Sequence, residues 1–197
     1  MAQTIIRRST ADLVSLPATL RGDHARFLGR HRAALVTYGP IWSEDGAPAG
    51  YLYQVELPDR SAVSGFLGDD PYAAAGLFQA TITSEWHCAL AHRLPSMPPR
   101  PGVAGFFFHG IGKPDITEFR NTIVAAHRAH LQPKDATNCV SRGYLTDAVG
   151  QIWMGSAMVY EFRDRDELDE FFRAEPYCVN GIYQHVAIYD WRRGALA

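Results

Sequence analysis

Hydrophobic and polar positions follow two periods along this chain, and the switches between them occur in the same order twice. Short β-prone runs at Thr4 to Arg8 and Val103 to His109 each lead, after a turn, into a stretch with helical spacing. In the first stretch, Leu20, His24, Phe27, Leu28 and His31 recur at the interval that puts side chains on one face of a helix over Ala18 to Leu35. Ile123, His127, His130, Leu131 and Lys134 form the matching stripe in the second. Each helix is followed by a glycine-containing turn between β-prone segments, YGPIWSEDGAPAG and SRGYLTDAVGQIWMG, whose second strands cover residues 50 to 57 and 155 to 162. Shorter helices are expected at 59 to 68 and 164 to 174, and closing strands at 78 to 86 and 183 to 191. The order in each half is β-α-β-β-α-β. That is an α+β, ferredoxin-like arrangement, an antiparallel sheet with both helices on one face.

The recurrence extends to residue identity. DDPYAAAGLFQATITSEW, beginning at Asp69, returns as AEPYCVNGIYQHVAIYDW, beginning at Ala174. Asp70, Pro71, Tyr72, Gly76, Gln79 and Trp86 stand 105 positions before Glu175, Pro176, Tyr177, Gly181, Gln184 and Trp191. Upstream, Gly50 meets Gly155, Asp59-Arg60 meets Asp164-Arg165, and Phe66 meets Phe171 in the same register. A period this long is a duplicated domain, because solenoid repeats run only about 20 to 50 residues. The pattern divides the chain into a first domain at 1–92, a linker at 93–102 and a second domain at 103–197. Pro95, Pro98, Pro99 and Pro101 exclude the linker from helix interiors and central strands. Alternating positions that include Tyr51, Tyr53, Val55, Phe106, Phe108, Met158 and Tyr160 are expected to leave one apolar sheet face uncovered. The two sheets are therefore expected to pack face to face as an intramolecular dimer, with further homo-oligomerisation left open.

Composition changes this picture only by exclusion. With 47% apolar and 20% charged residues the chain can build ordinary cores, and a net charge of -2 gives no basic footprint for nucleic acid or an anionic membrane. MAQTIIRRST carries charge where a signal peptide needs an apolar core, and no apolar run reaches the roughly 18 residues of a membrane helix, so the expected compartment is the cytosol. Cys88, Cys139 and Cys178 are widely spaced and read as buried thiols rather than a disulfide framework or zinc knuckle. The Gly-x-Gly-Lys-Pro at Gly110 lacks the length of a nucleotide cradle. The His-x-x-His of His127 and His130 has metal spacing but no acidic third ligand placed by sequence. No cofactor is expected.

RGDHARFL on the first helix, GPIWSEDG at the hairpin, Gly50, DPYAAAGLFQ and Trp86 together resemble the YCII-related proteins of the dimeric α+β barrel superfamily. The resemblance covers essentially the whole chain, once per half. The second half departs from it: AHRAHL replaces the first piece, Gly-Pro becomes Gly143-Tyr144, and Asp-Pro-Tyr becomes Glu-Pro-Tyr. The resemblance implies a ferredoxin-like subunit, here a pseudo-dimer, and a cleft in which a histidine and an aspartate are the catalytic pair. It implies no particular substrate.

The residues themselves lead to the same candidates. His24 is either a satisfied core histidine or a general acid or base, since imidazole titrates near neutral pH. The ring kept at His127 favours the second reading. Asp70 before Pro71 reads equally as a helix N-cap. Glu175, one methylene longer, is expected to cap poorly, so a carboxylate kept there points to a charge that accepts a hydrogen bond from the histidine and raises its pKa. The expected pairs are His24 with Asp70 and His127 with Glu175, the first being the fully active site. Arg21 could hold an anionic substrate, and Tyr38, Trp42, Tyr72 and Phe108 could line an aromatic cleft for a small molecule. The expected function is a cofactor-independent small-molecule enzyme of lyase or isomerase type. A small-metabolite-binding protein without chemistry is the alternative, as is, by fold analogy alone, a cofactor-free monooxygenase.

Overall fold

The first switch of period becomes strand β1 (Ala2–Arg8) followed by helix α1 (Ala18–Arg30) in the computed structural model, which describes residues 1–195. The helix is shorter than its apolar stripe: the chain turns after Arg30 because Leu35 already opens β2 (Leu35–Trp42). β3 (Pro48–Glu56), α2 (Arg60–Gly68), the single turn α3 (Pro71–Ala74) and β4 (Ala80–Cys88) complete the first half. The second half repeats the order with β5 (Ala104–Gly112), α4 (Thr117–Leu131), β6 (Cys139–Thr146), β7 (Trp153–Phe162), α5 (Arg165–Arg173), the single turn α6 (Pro176–Val179) and β8 (Tyr183–Trp191). Each repeated Pro-Tyr thus makes a one-turn helix beyond the four long ones read from periodicity. Among the described residues no helix is long and apolar enough to cross a membrane.

The strands close into one antiparallel barrel in the order β1-β3-β2-β8-β5-β7-β6-β4. Two seams join the halves, β4 with β6 and β2 with β8. Each seam is a glycine against a tryptophan. A Cβ on Gly39 would come within 1.8 Å of the Arg192 carbonyl and 2.7 Å of Trp191 Nε1; one on Gly143 would come within 2.3 Å of the His87 carbonyl and 2.5 Å of Trp86 Nε1. Trp86 then donates across to the Ala157 carbonyl at 3.1 Å. The repeated Asp-Arg doublets clamp the same seams. Asp59 and Asp164 cap α2 and α5, accepting from the Ala62 and Glu167 amides. Arg60 reaches the Ala148 carbonyl of the opposite hairpin at 2.7 Å, and Arg165 reaches Glu44 at 3.2 Å.

One expectation is corrected by strand parity. Tyr51, Tyr53, Phe108, Met158 and Tyr160 do not face the opposing sheet; they lie beneath the helices, where Tyr53 meets His24 and Phe108 stacks on Phe172 of α5 at 4.4 Å. The neighbours one position along, Leu52, Gln54, Phe107 and Val159, are all fully buried. Inside the barrel Gln54 donates to Thr4 at 3.4 Å and accepts from Ser141 of the other half. Both faces of each sheet are apolar, so alternation could not say which one met the helices.

The ladders also fix which residues are equivalent. Tyr38 pairs with Tyr53 and Arg142 with Met158; Arg7 pairs with Tyr51 and Gly110 with Ser156. In the second half Met158 therefore stands for Tyr53, Ser156 for Tyr51, Arg142 for Tyr38 and Gly110 for Arg7.

Gly143→Ala should lower the melting temperature by forcing β6 off β4, at a cost on the order of 3 kcal/mol, the upper end for an overpacked site; thermal or denaturant unfolding reads it. An unchanged midpoint would mean that the seam is not a tight contact.

Candidate functional site

In the first half, α1 presents His24 to the sheet and the Asp70-Pro71 turn brings a carboxylate beneath it. Asp70, fully buried, caps α3 by accepting from the Tyr72 amide at 2.9 Å, and the Tyr72 ring stacks on His24 at 3.9 Å. The expected direct contact is absent: His24 Nε2 lies 3.9 Å from Asp70. Tyr53 stands between them, 2.8 Å from His24 Nε2 and 2.9 Å from Asp70 Oδ2. An ionised carboxylate only accepts and a phenol has one proton, so Tyr53 donates to Asp70 and His24 donates its Nε2–H to the Tyr53 oxygen. Arg7, 3.4 Å from Asp70 Oδ2, supplies the counter-charge.

The expected rise in the His24 pKa is reversed as well. Burial pulls the ring down to about 3, because desolvation penalises the imidazolium. Burial pushes Asp70 up, against the hydrogen bonds from Tyr53 and the Tyr72 amide and the Arg7 charge. The pocket is closed as well as dry. Tyr51 sets its edge against His24 at 4.9 Å. The chain after β8 runs over Tyr38, with the Gly194 amide donating to the Tyr38 carbonyl at 3.1 Å. A Cβ on Gly194 would lie 2.4 Å from both the Tyr38 ring and the Tyr51 hydroxyl. His24 is 3% exposed.

Of the other expected binding residues, Tyr72 is at His24 and Tyr38 lies beside Tyr51. Arg21 is turned back onto the Leu16 carbonyl at 3.0 Å. Trp42 lines a separate cavity of about 820 Å³ at the β2–β8 seam, under the Arg192 guanidinium at 4.7 Å.

The second half solves the same problem differently. Glu175 does cap its helix, contrary to expectation: Oε1 accepts from the Tyr177 amide and Oε2 from the Cys178 amide, each at 3.0 Å. The extra methylene lets the carboxylate bridge two amides instead of one. It also lets Oε1 reach His127 Nδ1 directly, at 2.6 Å, while His127 stacks on Tyr177 at 3.8 Å. Asp with a tyrosine relay has become Glu with Met158 in the tyrosine's place. Gly110 stands where Arg7 was, so His127 is the group that answers the buried charge. Burial raises the Glu175 carboxyl, but the hydrogen bond and charge of His127 and the two amides outweigh it and leave its pKa below the usual range. With Nδ1 directed at the carboxylate, the neutral form of the ring has its lone pair on Nε2, which has no partner among the described residues.

This site is open. A cavity of about 290 Å³ is lined by His127, Tyr177, Trp153, Ser156, Arg142 and Arg120 among others. It exists because Ser156 and Arg142 replace the tyrosines that fill the first half. His130 belongs elsewhere: its Nε2 meets the Phe171 carbonyl at 3.0 Å and its ring stacks on Phe171. Among the described residues no three His, Cys, Asp or Glu side chains form a metal-binding group. The sequence reading missed Tyr53, Arg7, Arg120 and Trp153. The 105-residue offset, which matches Tyr53 to Met158, would have flagged the first; nothing in the spacing marks the others.

Residues 105–192 match the model of the YCII-related domain. The match covers most of the second half of the chain. His127, Glu175 and every residue lining the cavity except Ala89 lie within the matched residues. No curated protein matches the sequence. Among solved structures, a candidate monooxygenase of Fusobacterium nucleatum aligns over 98% of this chain and 91% of its own at 9% identity, with a TM-score of 0.63. A candidate monooxygenase of Lactobacillus acidophilus aligns over 100% and 95% at 9% identity, with a TM-score of 0.61. A variant chlorite dismutase of Candidatus Nitrospira defluvii aligns over 97% and 90% at 9% identity, with a TM-score of 0.57. At such identities the likeness is one of fold: a dimeric α+β barrel, here made by one chain.

Two measurements check this geometry. The unfolded chain protonates His24 below about pH 6.5 and the folded chain only near pH 3, so stability at this group falls as pH drops between those values, by about 1.4 kcal/mol per unit. Unfolding at pH 7 and 5 should show this slope in the wild type and lose it in His24→Gln, and the His24 ring should not titrate by NMR between pH 5 and 8. Glu175→Asp should pull the carboxylate out of reach of His127 and cost about 1 to 3 kcal/mol; Met158→Tyr in that background should recover part of it, read as a coupling energy in a double-mutant cycle.

Proposed function

We propose that the chain is a small-molecule enzyme of lyase or isomerase type whose acid–base centre is His127 with Glu175, rather than His24 with Asp70. The observation that carries this reading is an imidazole with one nitrogen anchored to a buried carboxylate at 2.6 Å, lining a cavity large enough for a ligand. A base needs its lone pair available and its tautomer set by an orienting partner, and His127 has both. Nε2 takes a proton from carbon next to a carbonyl, and the C–H electron pair moves into that carbonyl to form an enolate. The imidazolium, stabilised by the Glu175 charge, returns the proton to another carbon conjugated with the enolate, completing an isomerisation. Alternatively the enolate pair re-forms the carbonyl and makes a C=C bond as the bond to a group on the next carbon breaks, and that departing group takes the proton, completing an elimination. Tyr177 keeps the ring flat against one wall throughout.

The first half supports this assignment by contrast. His24 is neutral at ordinary pH, hydrogen-bonded at Nε2 and closed over by tyrosines. A half that keeps the histidine, the cap and the stacking tyrosine but fills the cavity is a structural copy.

The test is solvent deuterium exchange into a panel of small enolisable carbonyl compounds, followed by NMR. The wild type should catalyse exchange into at least one, His127→Gln should lose it by about 100-fold or more, as expected for a general base, and His24→Gln should stay within a few-fold at permissive temperature. Loss in His24→Gln with retention in His127→Gln would overturn the assignment.

A further inference from the structure

The cavity beside His127 has a charge imbalance that the acid–base reading leaves unused. Its wall contains Arg120, Arg128 and Arg142 and no aspartate or glutamate. Arg142 is already engaged, Nε and Nη2 each donating to Asp135 at 2.6 Å. Arg120 meets no carboxylate among the described residues: it donates to the side-chain oxygen of Asn121 at 3.0 Å, and its guanidinium lies 5.0 Å from the centre of the Trp153 ring and 5.7 Å from that of Tyr177. Three donors in this corner have no hydrogen-bond partner: Arg120 Nε, Trp153 Nε1 and the Tyr177 hydroxyl. Trp153 and Tyr177 are 7% and 1% exposed. A buried donor left unmade costs about 1 to 3 kcal/mol. What the corner lacks is an acceptor, and with unpaired cations around it the acceptor should carry negative charge.

The first half shows that the fold does not require this arrangement. Counting back seven residues from each stacked histidine gives Arg120 in the second half and Pro17 in the first, and Arg142 is matched there by Tyr38. These two cations are present only where the cavity is, while Arg7 of the first half is engaged with Asp70.

We infer that the cavity binds a small planar carboxylate, gripped at its charged end by Arg120 and laid flat against Trp153. The guanidinium lies across Trp153 and Tyr177, so its turn toward the ligand presents a bidentate fork and uncovers the Tyr177 hydroxyl as a further donor. A volume near the lower end for ligand sites suits a single ring or a short conjugated acid. This inference rests on the acid–base reading for which end of the ligand faces His127, but not for the anion contact itself.

Calorimetric titration with benzoate and with its neutral counterpart benzamide tests it. Benzoate should bind saturably and at least about tenfold more tightly than benzamide, an advantage that rising ionic strength erodes. Arg120→Met, which keeps the packing over the rings, should remove that advantage, and Arg120→Lys should restore part of it. Equal affinity for the two probes, no saturable benzoate binding, or an Arg120→Met variant that binds benzoate as the wild type does would each overturn the inference. Benzoate binding that persists in His127→Gln, together with absent deuterium exchange in the wild type, would uphold the anion site while defeating the acid–base reading.

Discussion

A carboxylate enclosed at the start of a one-turn helix needs its lone pairs filled and its charge answered from within the protein, because no water reaches it. Asp70 and Glu175 are both fully buried, and the architecture around each follows from that need. In the first half the answers are one backbone amide, the Tyr53 hydroxyl and the Arg7 charge. In the second they are two amides and His127. One added methylene, one tyrosine changed to methionine and one arginine changed to glycine are a single coordinated substitution, since any one of them alone would strand a buried group.

Closure of the barrel is what let the copies diverge. Each half covers the other's otherwise open sheet through a glycine-tryptophan seam and an arginine reaching across to the opposite hairpin, so stability is shared while chemistry need not be. The half that keeps tyrosines at positions 38, 51 and 53 gains apolar burial and a sealed, neutral histidine. The half that replaces them with arginine, serine and methionine leaves a cavity with a histidine and unpaired cations on its wall. The sealed copy bears the same histidine-on-tyrosine stack as the open one, so stacking and capping belong to the scaffold and openness to the site.

Much of the fold was legible from residue order. The 105-residue offset, the switch of period within each half and the need to cover an apolar sheet face were enough to specify tandem ferredoxin-like halves packed sheet to sheet, and the resemblance to the YCII-related proteins supplied the barrel. The histidine and carboxylate positions were legible for the same reason, being repeated. The connection between them was not. Tyr53 lies midway along a strand whose neighbours Leu52 and Gln54 are as buried as it is, so parity gave no clue that it faced His24. Glu175 was misjudged because a capping rule drawn from short side chains ignores that a longer arm can fold back over two amides.

Element order, duplication and the identity of the chemically able residues were determined by the sequence alone, because periodicity and repetition are properties of the chain read along its length. Which face of each strand met a helix, which histidine touched its acid and which half kept a hollow were decided only by tertiary structure. Those outcomes depend on distances of an ångström or two between segments dozens of residues apart. There a methylene or a phenol ring changes the result without changing the pattern.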